Sequence, residues 1–145
     1  MLLLIAASAR MLMMSRRTQR ANRRFDRLFK AVPIPIVLIK DGVFTDCNAA
    51  AAHALGFSSR QDIIGKSPAD LSPPRQADGQ DSAIKAGEIL QSVLAGEQTR
   101  FDWIHLHTDG SQRTIEVSLL PLDTSSRRHI LGVWHDITER DRAHQ

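Results

Sequence analysis

Two histidines and two tryptophans stand at spacings that could support ligand chemistry. Trp103, His105 and His107 follow one another at two-residue steps in a partly apolar segment, and Trp134 lies in a later one. Residues two apart in a strand share a face, so Trp103 and His105 would lie side by side. An imidazole nitrogen can bind a metal or hydrogen-bond a ligand, and an indole can stack on one. These side chains either form the wall of a ligand site or simply fill the core.

A metal site on His105 and His107 is the lesser alternative. Zinc-type sites need three or four protein ligands, and no third ligand stands at a supporting spacing. The alternation of a strand would turn His135 away from Trp134, to the other side of the sheet. No phosphate-binding loop or nucleophile motif occurs, so we predict no catalytic residue and no enzyme activity within the chain. The only cysteine, Cys47, is expected to be an inert core residue.

The elements that must position these residues follow from hydrophobic periodicity. Asp41-Gly42 predicts a hairpin turn, Asn48 the N-cap of a short helix, and residues 125–128 a loop. Five strands with the helices grouped in the middle of the chain predict an α+β fold: one antiparallel sheet with short helices on one face, preceded by a long N-terminal helix. The predicted strands are 36–39, 43–46, 101–107, 114–122 and 130–137, and the longest internal helix is 80–95.

Charge divides the chain into an arm and a body. Residues 1–30 contain eight basic residues and one acid, so an overall charge of +3 leaves the body mildly acidic. An acidic body makes nucleic acid an unlikely partner for it. Residues 1–14 are mostly apolar and shorter than the ~20 residues of a spanning helix. Residues 1–24 are therefore interpreted either as a truncated membrane anchor or juxtamembrane segment, or as a helix lying on a surface or in a coiled coil.

Three stretches, taken together, resemble the PAS family. CNAAAAHALGFSSRQDIIGKS is similar to its asparagine-capped helix, DGSQRTIEVSLLPL to its central hairpin, and ILGVWHDITER to its last strand and exit. ADLSPPRQADGQDS also resembles the middle loop of PAS domains from bacterial sensory-box proteins. The likeness covers roughly residues 25–140. It implies a five-stranded sheet and helices around a small internal cavity, with signalling to a downstream output.

The resemblance also implies roles for residues. The inward side chains of the strands would line a ligand pocket, and the Asp-x-Thr exit would couple sensor to output. The exit helix needs a fixed angle, which an Asp136–Arg140 ion pair and a Thr138 cap could provide. The pocket would comprise Trp103, His105, Ile115, Val117, Leu119, Ile130 and Trp134; the coupling residues would be Asp136, Thr138 and Arg140; and the apolar stripe of the entry helix, for a dimer, would be Phe25, Leu28, Phe29 and Val32.

The expected function is a sensory input module. It would bind a small molecule of unknown identity or mediate dimerisation, and would pass the signal to a kinase, a diguanylate cyclase or phosphodiesterase, or a transcription regulator of a bacterial two-component system. The alternative is a ligand-free dimerisation domain. The resemblance implies that haem and a flavin adduct are disfavoured: the family would take a haem histidine from the longer central helix, and residues 80–95 contain none, while Cys47 lies before the first short helix, the wrong place for a flavin adduct. We expect residues 1–24 as arm, 25–138 as sensory domain and 139–145 as exit helix, in a cytoplasmic protein that could be tethered to the inner face of the membrane.

Overall fold

The computed structural model describes residue 20 and residues 23–24, 26–124 and 127–143. Most of the predicted arm at residues 1–24, and Phe25 after it, therefore lie outside the described residues. The chain divides into two compact units, Met1–Val32 and Pro33–Gln145. In the first unit residues 26–31 are helical, and the Val32 amide donates to the Leu28 carbonyl oxygen at 3.1 Å. Within the described part of the chain, no helix combines the length and apolar character required to cross a bilayer.

The second unit is built on one antiparallel sheet of five strands. Their order across the sheet is β2-β1-β5-β4-β3, so the last strand lies in the centre and β2 and β3 form the edges. The strands are β1 (Ile36–Lys40), β2 (Val43–Cys47), β3 (Thr99–Leu106), β4 (Gln112–Thr124) and β5 (Arg127–Asp136). The predicted α+β class and antiparallel sheet are confirmed.

Helices occupy the middle of the chain, as predicted. They are α1 (Ala49–Ala54), two 3-10 turns (Arg60–Asp62 and Ala69–Leu71), α2 (Ser82–Leu94) and, after the sheet, α3 (Thr138–Ala143). The Asp81 side chain caps α2 by accepting from the Ile84 amide at 3.1 Å. Ser59 and Asp62 form a reciprocal capping box at the first 3-10 turn. At these two starts a polar side chain thus accepts from an amide that would otherwise lack a partner.

Alternation along the strands places one apolar face against the helices. On β4, Ile115, Val117 and Leu119 are buried, and on β5 Ile130 and Trp134 are buried. These side chains form one core with Ala51, Ala52 and Leu55 near α1 and with Ala86 and Val93 of α2. Between β1 and β2, Asp41 and Gly42 both have positive φ, 52° and 78°, as a tight hairpin turn requires.

The predicted loop at 125–128 is wrong for its last two residues. The backbones of Arg127 and Arg128 belong to β5, and β4 and β5 stay paired as far as Thr124 and Arg127. Serine and arginine carry little strand preference, which is why the sequence indicated a loop. A ladder of ten paired positions extends regular pairing beyond the segment in which apolar residues alternate.

Candidate functional site

A small cavity lies between the inner face of the sheet and α2. The space open to the centre of a water molecule is about 30 Å³. Strand residues on its wall face Ala86, Ile89 and Leu90 of α2, and every lining side chain except His105, Trp103 and Trp134 is purely apolar. Of the seven predicted pocket residues, five line it: Trp103, His105, Val117, Leu119 and Trp134.

The other two predicted pocket residues do not reach the cavity. Ile115 and Ile130 are 0% and 2% exposed, but they pack in the core away from the cavity wall. Sequence reasoning used the two-residue period, which gives the face of the sheet on which a side chain lies and not its position along the strand. The cavity is instead completed by residues that were not predicted: Ile39, Phe44, Pro68, Ala86, Ile89, Leu90 and Phe101.

His105 is the polar centre of the cavity wall. Its side chain is buried, and Nδ1 lies 3.0 Å from the Leu71 carbonyl oxygen and 3.5 Å from Ser72 Oγ. A carbonyl oxygen only accepts, so Nδ1 carries the proton and Nε2 keeps its lone pair. Burial lowers the pKa of His105 to about 4, and the bond to Leu71 opposes that shift only in part. His105 is therefore a neutral imidazole at pH 7.

The two tryptophans contact neighbouring rings. The centroid of Trp134 lies 4.8 Å from that of His105 and 6.1 Å from that of Phe44, the latter at an interplanar angle of 84°. Trp103 stacks edge-to-face on Phe101 at 6.0 Å. Such pairs stabilise a core beyond the area they bury. Much of the space between sheet and helices is thus filled by aromatic side chains, which is why the cavity is small.

Ser72 ties the middle loop, residues 69–82, to the cavity. Trp103 Nε1 donates to Ser72 Oγ at 2.8 Å, and the Ser72 hydroxyl donates to the Pro68 carbonyl at 2.6 Å. This satisfies the indole N–H, which would otherwise be buried without a partner. Nothing in the local sequence distinguishes Ser72 from other loop serines, because its partner lies 31 residues away.

Gln76 joins the same loop to the edge of the sheet. Its Oε1 accepts from the Ile104 amide at 2.7 Å, and its Nε2 donates to the Ile104 carbonyl at 3.1 Å. Nε2 also donates to Ser82 Oγ at 2.9 Å. Because β3 is an edge strand, Ile104 would otherwise present these backbone groups without a strand partner. Gln76 thus takes the place of a sixth strand at this position, which the sequence analysis missed.

The other chemically reactive side chains do not gather at the cavity. His107 follows β3, and its Nδ1 accepts from the Asp109 amide at 3.1 Å. His53 is exposed on α1. Cys47 is buried, and burial together with the neighbouring Asp46 raises the pKa of its thiol to about 11. Over the described residues, no three histidine, cysteine or acidic side chains come together as a metal would require.

The predicted Asp136–Arg140 ion pair is wrong. Asp136 Oδ1 accepts from the Thr138 amide at 2.9 Å and from the Thr138 hydroxyl. The Arg140 guanidinium lies 3.9 Å from a Glu116 carboxylate oxygen of β4. The i, i+4 rule applies within a helix, whereas Asp136 is the last residue of a strand.

The predicted cap by Thr138 is also corrected. Its hydroxyl oxygen accepts from the Thr114 amide of β4 at 3.0 Å and so binds the sheet instead of an amide of α3. Two more bonds reinforce this attachment: the Ile137 amide donates to the Thr114 carbonyl at 2.9 Å, and the Thr114 hydroxyl donates to Asp141 at 3.2 Å. The start of α3 is therefore bound to β4 at one residue, Thr114.

Comparison with known proteins identifies the relatives of this arrangement. A family model described as the PAS fold matches residues 29–142. Among curated proteins, no sequence matches the chain significantly.

Solved structures resemble the chain over most of its length. The PAS domain of an HTR-like protein from Haloarcula marismortui has a TM-score of 0.69 at 22% identity, covering 86% of this chain and 98% of that one. A domain of a sensory box sensor histidine kinase/response regulator from Geobacter sulfurreducens gives 0.63 at 22%, covering 80% and 94%. A PAS domain of a LuxR-family transcriptional regulator from Burkholderia thailandensis, solved with ethanol, gives 0.59 at 23%, covering 78% and 96%. At these identities the likeness is one of fold.

Proposed function

We propose a signal-sensing role for this chain, which belongs to the PAS family: it is an input module whose cavity binds a small molecule and whose exit helix passes the result to an output. The output would be a kinase, a diguanylate cyclase or phosphodiesterase, or a transcription regulator. Fold likeness to domains of a histidine kinase and of a LuxR-type regulator supports the first and last of these classes. No catalytic residue is assigned to the chain.

One observation carries the proposal: cavity wall and exit are adjacent on a single strand. Trp134 lines the cavity, and Asp136, two residues later on β5, holds Thr138 at the start of α3. Val117 of β4, which pairs with Trp134, also lines the cavity, and Thr114 of the same strand binds Thr138. A ligand that displaces Trp134 would therefore act directly on the two strands that hold α3.

The terminal segments complete the proposal. Residues 1–24 would form the arm, 25–138 the sensory domain and 139–145 the beginning of the exit helix. The stripe Phe25, Leu28, Phe29 and Val32 would pair with a second copy of the chain, so that both entry and exit helices report the state of the cavity in a homodimer. The arm could tether the module to the inner face of the cytoplasmic membrane. These assignments rest on the apolar and basic pattern of the sequence.

A ligand-free dimerisation domain is the second candidate. The observation that favours it is the size of the cavity, about 30 Å³, together with the ring contacts of Trp134 that already fill the surrounding space. In that case the aromatic core would be purely structural, and partner binding would be the signal. The fold likeness to a PAS domain solved with ethanol supports the ligand-binding candidate.

Native mass spectrometry of the gently purified full chain separates the two candidates. A ligand-binding module should show a mass excess that disappears on denaturation, with one small molecule released per chain. Enlarging the wall with Leu119→Ala should increase the affinity for larger molecules in a thermal-shift screen. Absence of any mass excess, and of any thermal shift with either protein, would refute the ligand-binding proposal. Sedimentation of the chain and a Leu28→Asp variant tests the dimer independently.

A further inference from the structure

We propose that the cavity selects a small, neutral hydroxyl compound, such as a short-chain alcohol, whose O–H donates a hydrogen bond to Nε2 of His105. This inference rests on the proposed function, because it names the chemical class of the ligand that the cavity would hold.

The acceptor is a single atom. Nδ1 of His105 is committed as a donor to the Leu71 carbonyl, so the lone pair on Nε2 is the remaining polar group of the ring. No group in the described part of the chain donates to Nε2, although the side chain is only 3% exposed. An acceptor that keeps little accessible surface and has no donor loses much of the free energy of its hydration. A ligand with a donor would restore that interaction.

The rest of the wall excludes charged ligands. Trp103 and Trp134 are the other lining residues with a polar side-chain atom, an indole N–H each, and the N–H of Trp103 is committed to Ser72. An indole N–H only donates, so Nε2 of His105 remains the acceptor that a ligand would meet. Among the described residues, no aspartate, glutamate, lysine or arginine side chain lines the cavity. Carboxylates and ammonium ions would lose their hydration there without gaining a counter-charge. The ligand must therefore be neutral, with one donor end and an apolar remainder against Leu119, Leu90 and Ile89.

Size and polarity together favour an alcohol over water. One water occupies about 10–15 Å³, and about 30 Å³ open to the centre of a water molecule leaves room for a few non-hydrogen atoms. A buried water typically needs two to four polar partners, and this wall offers at most two, Nε2 and the indole N–H of Trp134. A short alcohol needs one polar partner for its hydroxyl, and its alkyl group meets the apolar wall.

The test compares 2-propanol with acetone, which has the same heavy-atom skeleton and no donor. The full chain, labelled with ¹⁵N at histidine and dialysed, is titrated with each compound, and the Nε2 resonance of His105 is followed by NMR. We expect 2-propanol to bind about tenfold more tightly than acetone, the factor that one hydrogen bond confers. Only 2-propanol should shift the Nε2 resonance in the direction of an accepted hydrogen bond.

Variants separate this inference from the proposed function. His105→Phe should bind both compounds equally, and Leu119→Ala, which keeps the acceptor, should preserve the preference for 2-propanol. Equal binding of both compounds to the unmodified chain would overturn the hydroxyl inference and leave a ligand-binding cavity. An Nε2 resonance that is hydrogen-bonded in plain buffer and unmoved by 2-propanol would mean that water is the occupant, and would also overturn it. Binding of neither compound would overturn this inference, while the mass-spectrometric test of the proposed function would stand independently.

Discussion

Asn48 and Gln76 are both buried side-chain amides, and each completes the backbone hydrogen bonding of a strand, but at different places in the sheet. Asn48 Oδ1 accepts from the Ile36 amide at 3.0 Å, and Nδ2 donates to the Ile34 carbonyl at 2.7 Å, at the start of β1. Gln76 binds both backbone groups of Ile104 in the middle of the edge strand β3. Both amides are almost inaccessible, at 0% and 6% exposure.

The difference lies in what else each amide does. Oδ1 of Asn48 also accepts from the Ala51 amide at 3.0 Å, as the N-cap of α1, so a local role and a tertiary role share one oxygen. Gln76 has no such helix-capping bond; its side chain connects the middle loop to β3 and to Ser82 at the start of α2. Asn48 therefore fixes a corner of the chain, whereas Gln76 holds a loop against a strand.

The largest loss of stability should come from replacing Asn48, the amide at the corner where β1 begins. In Asn48→Ala the Ile36 amide, the Ile34 carbonyl and the Ala51 amide all lose a partner inside the protein. Because each unsatisfied buried group costs about 1–3 kcal/mol, we expect the free energy of unfolding to fall by about 4 kcal/mol. Urea denaturation followed by tryptophan fluorescence measures it.

A cap that is exposed provides the matched control. Ser59 accepts from the Gln61 amide at 3.2 Å at the surface, so Ser59→Ala should lower the free energy of unfolding by only about 1 kcal/mol. If Asn48→Ala were no more destabilising than Ser59→Ala, the tertiary bonds of Asn48 would contribute nothing to stability. Asn48 would then act only as a helix cap.

This contrast also explains what the sequence could and could not predict. Asn48 before four alanines indicates a helix cap by local chemistry, and Asp41-Gly42 indicates a hairpin in the same way. The bonds of Gln76 and Ser72 join residues 28 and 31 positions apart, and those of Gln76 to the Ile104 backbone also require that the sheet order makes β3 an edge. Burial of the aromatic residues was predictable from alternation, but the end of each strand that meets α2 was not, which is why Ile115 and Ile130 were misplaced.

Acid should destabilise the protein through His105, the histidine that is hydrogen-bonded to Leu71 of the middle loop. Folding lowers the pKa of His105 from an ordinary 6.5 to about 4, so between these values the unfolded chain binds a proton that the folded chain does not. The free energy of unfolding is therefore at its full value above pH 6.5. It falls as the pH drops toward 4, by about 3 kcal/mol in total. Urea denaturation between pH 7 and pH 4 measures this loss.

Two variants assign the acid response to one group. His105→Phe should abolish most of the slope between pH 6.5 and 4, whereas Asn48→Ala should retain it, because the corner amide does not titrate. Hydrogen bonds with Ser67, Lys85 and Ser111 lower the pKa values of Asp70, Asp78 and Asp109, so any loss from those carboxylates belongs below their ordinary value of 3.8. An unchanged slope in His105→Phe would contradict the assignment.

A smaller effect is expected at the edge strand. Gln76→Ala removes three bonds, but water can reach the Ile104 backbone once the side chain is gone, because β3 has no further strand beside it. We expect the free energy of unfolding to fall by about 2 kcal/mol. Hydrogen exchange of the Ile104 amide should also become faster, which is a local readout that general destabilisation does not produce selectively.

The matched control for Gln76 lies in the same loop. Gln80 is exposed, so Gln80→Ala should change the free energy of unfolding by less than about 0.5 kcal/mol and leave exchange at Ile104 unaltered. Equal exchange rates at Ile104 in the unmodified chain and in Gln76→Ala would show that the amide does not protect the strand. Asn48 would then stabilise a strand through its backbone hydrogen bonds and Gln76 would not, so the two amides would differ in role and not only in the size of their contribution.

The smallest expected quantity is the coupling between the two amides. Asn48 binds the start of β1 and Gln76 binds β3, with β5 and β4 between them, which places the two strands about 14 Å apart at ordinary spacing. They share no hydrogen-bond partner, so the double variant should be destabilised by the sum of the single changes, to within about 0.5 kcal/mol. Measuring all four proteins in a stabilising osmolyte keeps the double variant folded enough for urea denaturation. A coupling well above that limit would mean that the central strands β5 and β4 transmit strain from β1 to the edge strand β3. Transmission of strain across the sheet is the property that a sensor needs between its cavity and its exit helix.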